Sequence, residues 1–375
     1  MATADRSFYT DFSLDHIRFY VDDLPAKARH FVDGYGFQVH AAGRPAGKNA
    51  GTSLGLGAGR IRLVLTEPPD GDHPGAAYLH RHGDGVADIA LGVPDAADAF
   101  RRTVARGARP VAEPAEHAGI TTAAIGGFGD VVHTFVQRRE GVDERALPDL
   151  GPVTGPVTGP VTGPVTGPVA GPGAAAGGRL TRVDHLAVCV EPGRLDATAG
   201  FYRRVLGFEE TFSEFIGVGD QGMRTTVVQS RSGAVTLTLI EPDASGPTGH
   251  VGDFLKDHDG PGVQHLAFAT DDIVEAVRSI GARGVEFLPA PGSYYDRLPR
   301  RVAVSRHPAG ALRELNVLVD EDHDGQLFQI FTRSVHPRGT FFTELIERLG
   351  SRSFGSGNIR ALYQAVESQK NGPAG

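Results

Sequence analysis

The sequence predicts an α+β fold of four βαβββ modules, two in each half of the chain, with antiparallel sheets curled into two open barrels. Three observations lead there. First, the second half repeats the first: Leu65-Thr66-Glu67-Pro68, then Gly85-Val86-Ala87-Asp88-Ile89-Ala90, recur as Leu239-Ile240-Glu241-Pro242 and Gly262-Val263-Gln264-His265-Leu266-Ala267. Asp15-His16-Ile17 likewise matches Asp184-His185-Leu186, and the run from Val131 to Arg138 matches that from Phe341 to Arg348. Second, residues 151–170 are four Gly-Pro-Val-Thr units and one Gly-Pro-Val-Ala, continuing as Gly/Ala/Pro to 178. A proline every fourth residue blocks helix and ladder alike, so this reads as an extended linker between domains at 1–150 and 179–375. Third, β-branched runs alternate with single helical stretches inside each half.

In the second half, Val183 to Val190 reads as a strand, and Leu195 to Leu206 as a helix ended by Gly207, with Phe201, Tyr202, Val205 and Leu206 at helical spacing. Thr225 to Gln229 and Ala234 to Ile240 flank Ser232-Gly233, a hairpin signal. Val263 to Ala269 is another strand, followed by a helix capped by Asp271 and running through Ile280 to Gly281. Strands are expected near Glu286-Leu288, Leu315-Val319, Leu327-Thr332 and Phe341-Ile346. Behind Gly355-Ser356-Gly357, the residues Ile359, Leu362, Tyr363 and Val366 fall at i, i+3, i+4 and i+7. They predict an amphipathic terminal helix able to pack permanently or to close a pocket mouth.

The 375 residues suffice for two or three domains, each with its own core. With 37 basic and 45 acidic residues the formal charge is -8, and no stretch concentrates Lys and Arg. That argues against nucleic acid or an anionic membrane as partner. Cys189 is the only cysteine and sits in an apolar run, so a packed thiol in a reducing compartment is expected. No leader pattern and no apolar stretch of about 18 residues is seen, so a soluble, cytoplasmic protein is expected.

Overlaying the copies puts His16, Asp88 and Thr134 where the second half has His185, His265 and Glu344. Only the second set is a workable ligand group. Two imidazoles and a carboxylate on one face of a ferrous ion leave positions for substrate and O₂, and the same donors accept manganese or cobalt. A lone strand histidine is usually a packed group. Here His185 and His265 are 80 residues apart and His265 and Glu344 are 79 apart, one module each time, and each histidine precedes an apolar run. Glu344 lies among apolar residues, where an unpaired carboxylate is costly. Two other candidates are weaker. Asp320-Glu321-Asp322-His323-Asp324-Gly325 imitates a calcium loop but has Phe331 where the closing Glu belongs, so it reads as an acidic turn. His80 and His82 read as part of a surface loop with no carboxylate partner.

The stretches Gly262-Val263-Gln264-His265-Leu266-Ala267-Phe268, Asp324 to Thr332 and Phe354-Gly355-Ser356-Gly357-Asn358 resemble the 4-hydroxyphenylpyruvate dioxygenase group of α-keto acid dependent oxygenases, in the vicinal oxygen chelate superfamily. The resemblance covers nearly the whole chain except the linker. It implies that fold, an Fe(II) cofactor held by His185, His265 and Glu344, a homodimer, and 4-hydroxyphenylpyruvate with O₂ as substrates. Gln329 and Gln264 would lie in or beside the substrate cavity. Family reactions part after a shared oxidative decarboxylation: hydroxylation of the ring gives homogentisate, whereas hydroxylation of the benzylic carbon gives 4-hydroxymandelate, a precursor of hydroxyphenylglycine in peptide antibiotics.

The branch is signalled by a few positions. Where the dioxygenases usually read Pro-Leu-Asn-Glu-Pro, this chain has Thr238-Leu239-Ile240-Glu241-Pro242, and Ile359 stands where they usually carry phenylalanine. Both features, with Thr226 to Ser230, resemble the hydroxymandelate-forming branch. Thr225 replaces the serine usual in that branch, and Thr343 replaces an aromatic residue before Glu344, where strand alternation should turn it away from the metal. The residues expected to set the reaction are Thr225 and Gln329 as catalytic groups, with Phe212, Thr238, Ile240, Gln264, Phe354, Ile359 and Tyr363 as substrate contacts. Two further readings are a non-catalytic binding protein on the same fold and an extradiol catechol dioxygenase.

Overall fold

The computed structural model describes residues 12–43, 51–69, 71–153, 179–218, 221–246 and 249–360. In the first half the order is β1 (Ser13–Tyr20), α1 (Leu24–Arg29), β2 (Gln38–Gly43), β3 (Thr52–Ala58), β4 (Ile61–Glu67), α2 (Pro74–His82), β5 (Gly85–Gly92), α3 (Ala96–Ala105), β6 (Pro110–His117), β7 (Ile120–Gly126), β8 (Val132–Arg138) and the two-residue β9 (Gly151–Pro152). The second half holds β10 (Leu180–Cys189), α4 (Leu195–Phe201), β11 (Glu209–Val218), β12 (Gln221–Gln229), β13 (Thr236–Pro242), α5 (His250–His258), β14 (Gly262–Thr270), α6 (Ile273–Ala282), α7 (Gly292–Arg301), α8 (Ala309–Glu314), β15 (Leu318–Asp322), β16 (Gly325–Phe331) and β17 (Phe342–Leu349).

The sheets run β6-β7-β8-β5-β1-β4-β3-β2-β9 and β11-β12-β13-β10-β14-β17-β16-β15, so each half is one curled sheet of two βαβββ modules. The expected antiparallel sheets are in fact mixed. The last strand of each module runs parallel to its first, as β10 with β13 and β14 with β17, and the modules meet through the antiparallel pair β10 and β14. A parallel return requires a crossover, which the helix and two intervening strands of each module supply.

Alternate residues along these strands face different surroundings. On β14, Leu266 and Phe268 enter the main core, while Ala267 and Ala269 pack with Leu327 and Ile346 in a separate cluster on the concave side. The main core is shared by the two halves: Phe37 and Tyr35 pack on Phe268, and Phe19 packs edge-on against Phe341 at 5.1 Å. This corrects the expectation of a separate core in each half.

One tether recurs in all four modules. The first helical N–H groups, of Leu24, Ala96, Leu195 and Ile273, donate to Glu67, Gln137, Glu241 and Glu347 at 2.8–3.1 Å, each acceptor lying on the last strand of its own module. An otherwise unsatisfied helix-end donor is thereby paired to a side chain in the sheet. The repeated Leu-x-Glu-Pro motif is thus a structural anchor.

Other expectations need adjustment. The helix from Leu195 continues as a π-helical turn, Tyr202–Leu206, and stops at Gly207 with φ 69°. Asp272, rather than Asp271, caps α6. Phe287 forms only an isolated bridge to Thr332 instead of a strand. Helices α7 and α8 were not anticipated: in α7, Pro299 and an arginine-rich composition hide the buried face of Tyr294, Tyr295 and Leu298, and the six-residue α8 buries only Leu312. His80 and His82 close helix α2 instead of lying in a loop; His82 is buried, bonded to Asp130 at 2.9 Å and stacked on His258 of the second half. The first two residues of the proline repeat pair with β2 as a sheet edge, while residues 154–178 lie outside the described residues. So do Leu362, Tyr363 and Val366; the terminal helix is described over 356–360. No helix among the described residues is long and apolar enough to cross a membrane.

Removing a tether should be costly. Glu241 is buried, accepts from the N–H groups of Gly193 and Leu195, and pairs with Arg224. Glu241→Ala should therefore lower unfolding free energy in urea by about 2–3 kcal/mol, and a loss below about 0.5 kcal/mol would deny the tether an energetic role.

Candidate metal centre

Three strands that are adjacent in the sheet but distant in sequence converge on one point. β10 contributes His185, β14 His265 and β17 Glu344; the register sets His185 and Glu344 both against Ala267. Their donor atoms lie within 4.8 Å of one another, and both imidazole Nε2 atoms are 3.4 Å from Glu344 Oε2. All three side chains are buried.

The remaining imidazole nitrogens are held from behind. His185 Nδ1 donates to Asp184 at 3.1 Å, and Asp184 takes a forked contact from Arg348 at 2.8–3.1 Å. His265 Nδ1 lies 3.4 Å from Gln264 Oε1, and the ring stacks on Phe342 at 4.8 Å. Fixing Nδ1 in this way leaves Nε2 as the ligand atom, the arrangement that metal-binding histidines require. The chemistry of the donor set therefore fits a divalent transition metal.

The electrostatics agree. Burial favours neutral imidazole at His185, but Asp184 and Glu344 outweigh it and hold the pKa up at about 9. At His265 burial prevails and the pKa is lowered, with the positive charge of His185 adding to the effect. Burial would raise the Glu344 pKa, yet its bonds to the two histidines bring it below the ordinary carboxylate value. The two carboxylates thus favour the charged form of His185 over the neutral one.

The lining residues named from the sequence fall into two groups. Phe354 stands edge-on to His185 at 5.2 Å, and Phe212 is 6.4 Å from Phe354. Farther along the concave face, Ile240 packs with Ala187, Cys189, Ile216 and Met223, and Ile359 closes on that same cluster. Thr225 is opposite Ile240 on β12 and Thr238 is beside Ala187 on β13. The Thr238 hydroxyl and Gln329 Oε1 are buried without a hydrogen-bond partner among the described residues. The Gln329 amide lies flat on Gly355, whose φ of 75° and lack of a Cβ permit the contact. Gln264 touches His265, and Tyr363 lies outside the described residues.

Thr343 does point away from the trio: Tyr35 of the first half bonds its hydroxyl at 2.5 Å, and Thr332 does so at 3.1 Å. The acidic turn anchors the terminal segment, with Asp322 accepting from the N–H groups of Arg352 and Ser353, and Asp320 from that of Gly357. A second grouping of Asp272, His307 and Glu347 is taken up by the α6 tether and an ion pair with Arg306.

The first half preserves the supports but has no equivalent donor trio among its described residues. Asp15 bonds His16 at 2.8 Å and pairs with Arg138, as Asp184 does with His185 and Arg348. Asp88, however, is consumed by the N–H and hydroxyl of Thr134 at 3.0 and 2.6 Å. Val142, Ala146, Leu147 and Leu150 pack into the concave face. Asp184 and Arg348 were missed in the sequence, although the repeat itself, with Asp15-His16 and Arg138, carried their signal.

Comparison with known proteins fits this geometry. Residues 182–330 match the glyoxalase/bleomycin resistance protein/dioxygenase superfamily, and residues 53–150 match the N-terminal part of hydroxyphenylpyruvate dioxygenase. The 4-hydroxyphenylpyruvate dioxygenase of Dictyostelium discoideum is 31% identical over 95% of this chain and 97% of that protein. That of Yarrowia lipolytica is 29% identical over 95% and 91%. A solved structure of a triple mutant of 4-hydroxymandelate synthase from Streptomyces coelicolor superimposes with a TM-score of 0.80, at 39% identity, over 96% of this chain and all of that one.

Two outcomes are expected. The His185 pKa is raised from 6.5 to about 9, so the proton stabilises the metal-free fold fully below 6.5 and that contribution is lost as pH rises through about 9. Metal must displace this proton, so Co(II) affinity measured by calorimetry should climb with pH up to about 9 and level above it; a flat profile below 9 would contradict the proton's role. Replacing Asp184 by Asn should weaken metal binding by about 10- to 100-fold, read in the same titration.

Proposed function

Because the chain belongs to the 4-hydroxyphenylpyruvate dioxygenase family of the vicinal oxygen chelate superfamily, a family of non-haem iron dioxygenases, we propose that it converts 4-hydroxyphenylpyruvate and O₂ into 4-hydroxymandelate and CO₂. His185, His265 and Glu344 hold Fe(II) in this reading, and the observation that carries it is the convergence of their donor atoms within 4.8 Å. When bound, the ferrous ion supplies oxygen activation and oxidative decarboxylation of the keto acid.

The chain's own residues decide where the oxygen goes. Phe354 and Phe212 present aromatic faces beside His185, while Ile240 and Ile359 meet in one apolar cluster at the other end of the concave face. An isoleucine at 240 offers no hydrogen bond to a ring, and an isoleucine at 359 leaves room for the ring to turn, which brings the benzylic carbon toward the metal. A shift of about 1 Å in such a pose is enough to change rate by a hundredfold. The 39% identity to a hydroxymandelate synthase supports this branch, and the reaction fits a supply of hydroxyphenylglycine for peptide antibiotics. Homogentisate formation is the second reading, favoured by the dioxygenase names of the curated relatives.

The test is chromatography of products from Fe(II)-loaded protein, 4-hydroxyphenylpyruvate and air against both standards, since the two products are isomers. Hydroxymandelate is expected; homogentisate alone would overturn the branch assignment. In the Ile240→Asn, Ile359→Phe double variant the product ratio should shift toward homogentisate, and an unchanged ratio would remove these residues from the decision.

A further inference from the structure

Strand β11 forms the rim of the concave sheet, and its alternation points Phe212, Glu214 and Ile216 inward while Ser213 and Phe215 face out. Phe212 reaches Phe354 beside the metal trio, and Ile216 joins the cluster of Ile240 and Ile359. Between them stands a carboxylate. Glu214 is opposite Thr225, which is in turn opposite Ile240, so it belongs to the same row as two positions expected from the sequence to serve the reaction. One oxygen, Oε1, is bonded by Arg360 from the terminal helix; the other, Oε2, is sealed from solvent and meets no hydrogen-bond donor among the described residues.

A carboxylate oxygen enclosed in an apolar lining is costly unless an O–H or N–H donor meets it. The ring of the proposed substrate carries one such donor, a phenol hydroxyl, at the end remote from the chelating keto acid. A phenol O–H to a carboxylate is a charge-assisted bond, stronger than one between neutral groups. We propose that Glu214 is a specificity residue that accepts the para-hydroxyl hydrogen of the substrate ring, with Arg360 holding the carboxylate in place as the terminal segment covers the site. The inference rests on the functional reading above. It makes the protein selective for 4-hydroxyphenylpyruvate over phenylpyruvate, which is identical but for that hydroxyl. Sites built to bond a hydroxyl group discriminate strongly against analogues lacking it, because the buried acceptor is then left unpaired.

The experiment compares 4-hydroxyphenylpyruvate with phenylpyruvate in the Fe(II)-loaded full chain, for the wild type, Glu214→Leu and Glu214→Gln. The ratio of kcat/KM for the two acids is read on each preparation, so a partly inactive preparation cancels. Calorimetry without O₂ gives the corresponding ratio of Kd values. In Glu214→Leu the preference for the hydroxylated acid should fall about tenfold or more, mainly through KM. Glu214→Gln keeps a carbonyl acceptor and should fall less. Ratios within about twofold of wild type in both variants would overturn the role of Glu214 and leave the reaction standing. A wild type that neither binds nor consumes either acid would remove the functional reading, and this inference with it.

Discussion

The contact between Asp184 and Arg348 is the constraint on which the rest of the site depends. Asp184 orients His185 through Nδ1 and receives Arg348 in a forked contact, which ties strand β10 to strand β17. The same guanidinium donates to the carbonyls of Ser351 and Ser353 and lies 4.9 Å over the ring of Phe354. One ion pair thus joins His185, the strand that carries Glu344 and the segment that covers the candidate centre. Asp184 is held well below the usual carboxylate range: burial works the other way but is outweighed by bonds to His185 and Arg348. Breaking one partner of such a buried pair leaves a charge without compensation, so the arrangement tolerates little change.

Around that contact the fold is a fourfold repetition of one device. In every module a side chain near the end of the last strand receives the first N–H of the helix. The tether fixes how the helix lies on its sheet, and the curled sheet in turn brings β10, β14 and β17 to one point. The first half has the same architecture and the same aspartate-arginine support, but its concave face is filled by its own chain. Its contribution is made elsewhere. Tyr35 reaches across the shared core to Thr343, next to Glu344, and His82 stacks on His258, so the first half braces the half that carries the candidate centre.

Much of this was legible in the sequence. The repeat exposed the modules, the spacing of His185, His265 and Glu344 singled out three groups that the fold brings together, and the hydrophobic pattern located most strands. These features are local or periodic, and each module must satisfy its own pattern of burial and turns whatever surrounds it. Helix α7 escaped because proline and arginine masked a buried aromatic face, the six-residue α8 because it buries only Leu312, and His82 because its carboxylate partner, Asp130, is far along the chain.

The sequence by itself determined the modules, which three residues of the second half form a candidate donor set, and that the first half lacks an equivalent one, since these follow from residue type and from comparing one copy with the other. Only the tertiary structure decided which groups stand behind His185 and His265, that Ile240 and Ile359 share one cluster, that Thr343 is answered by Tyr35, and that one Glu214 oxygen meets no donor among the described residues. The reason is physical: such contacts join residues separated by tens to hundreds of positions, and their energies depend on burial and on distances of a few ångströms that no local pattern records.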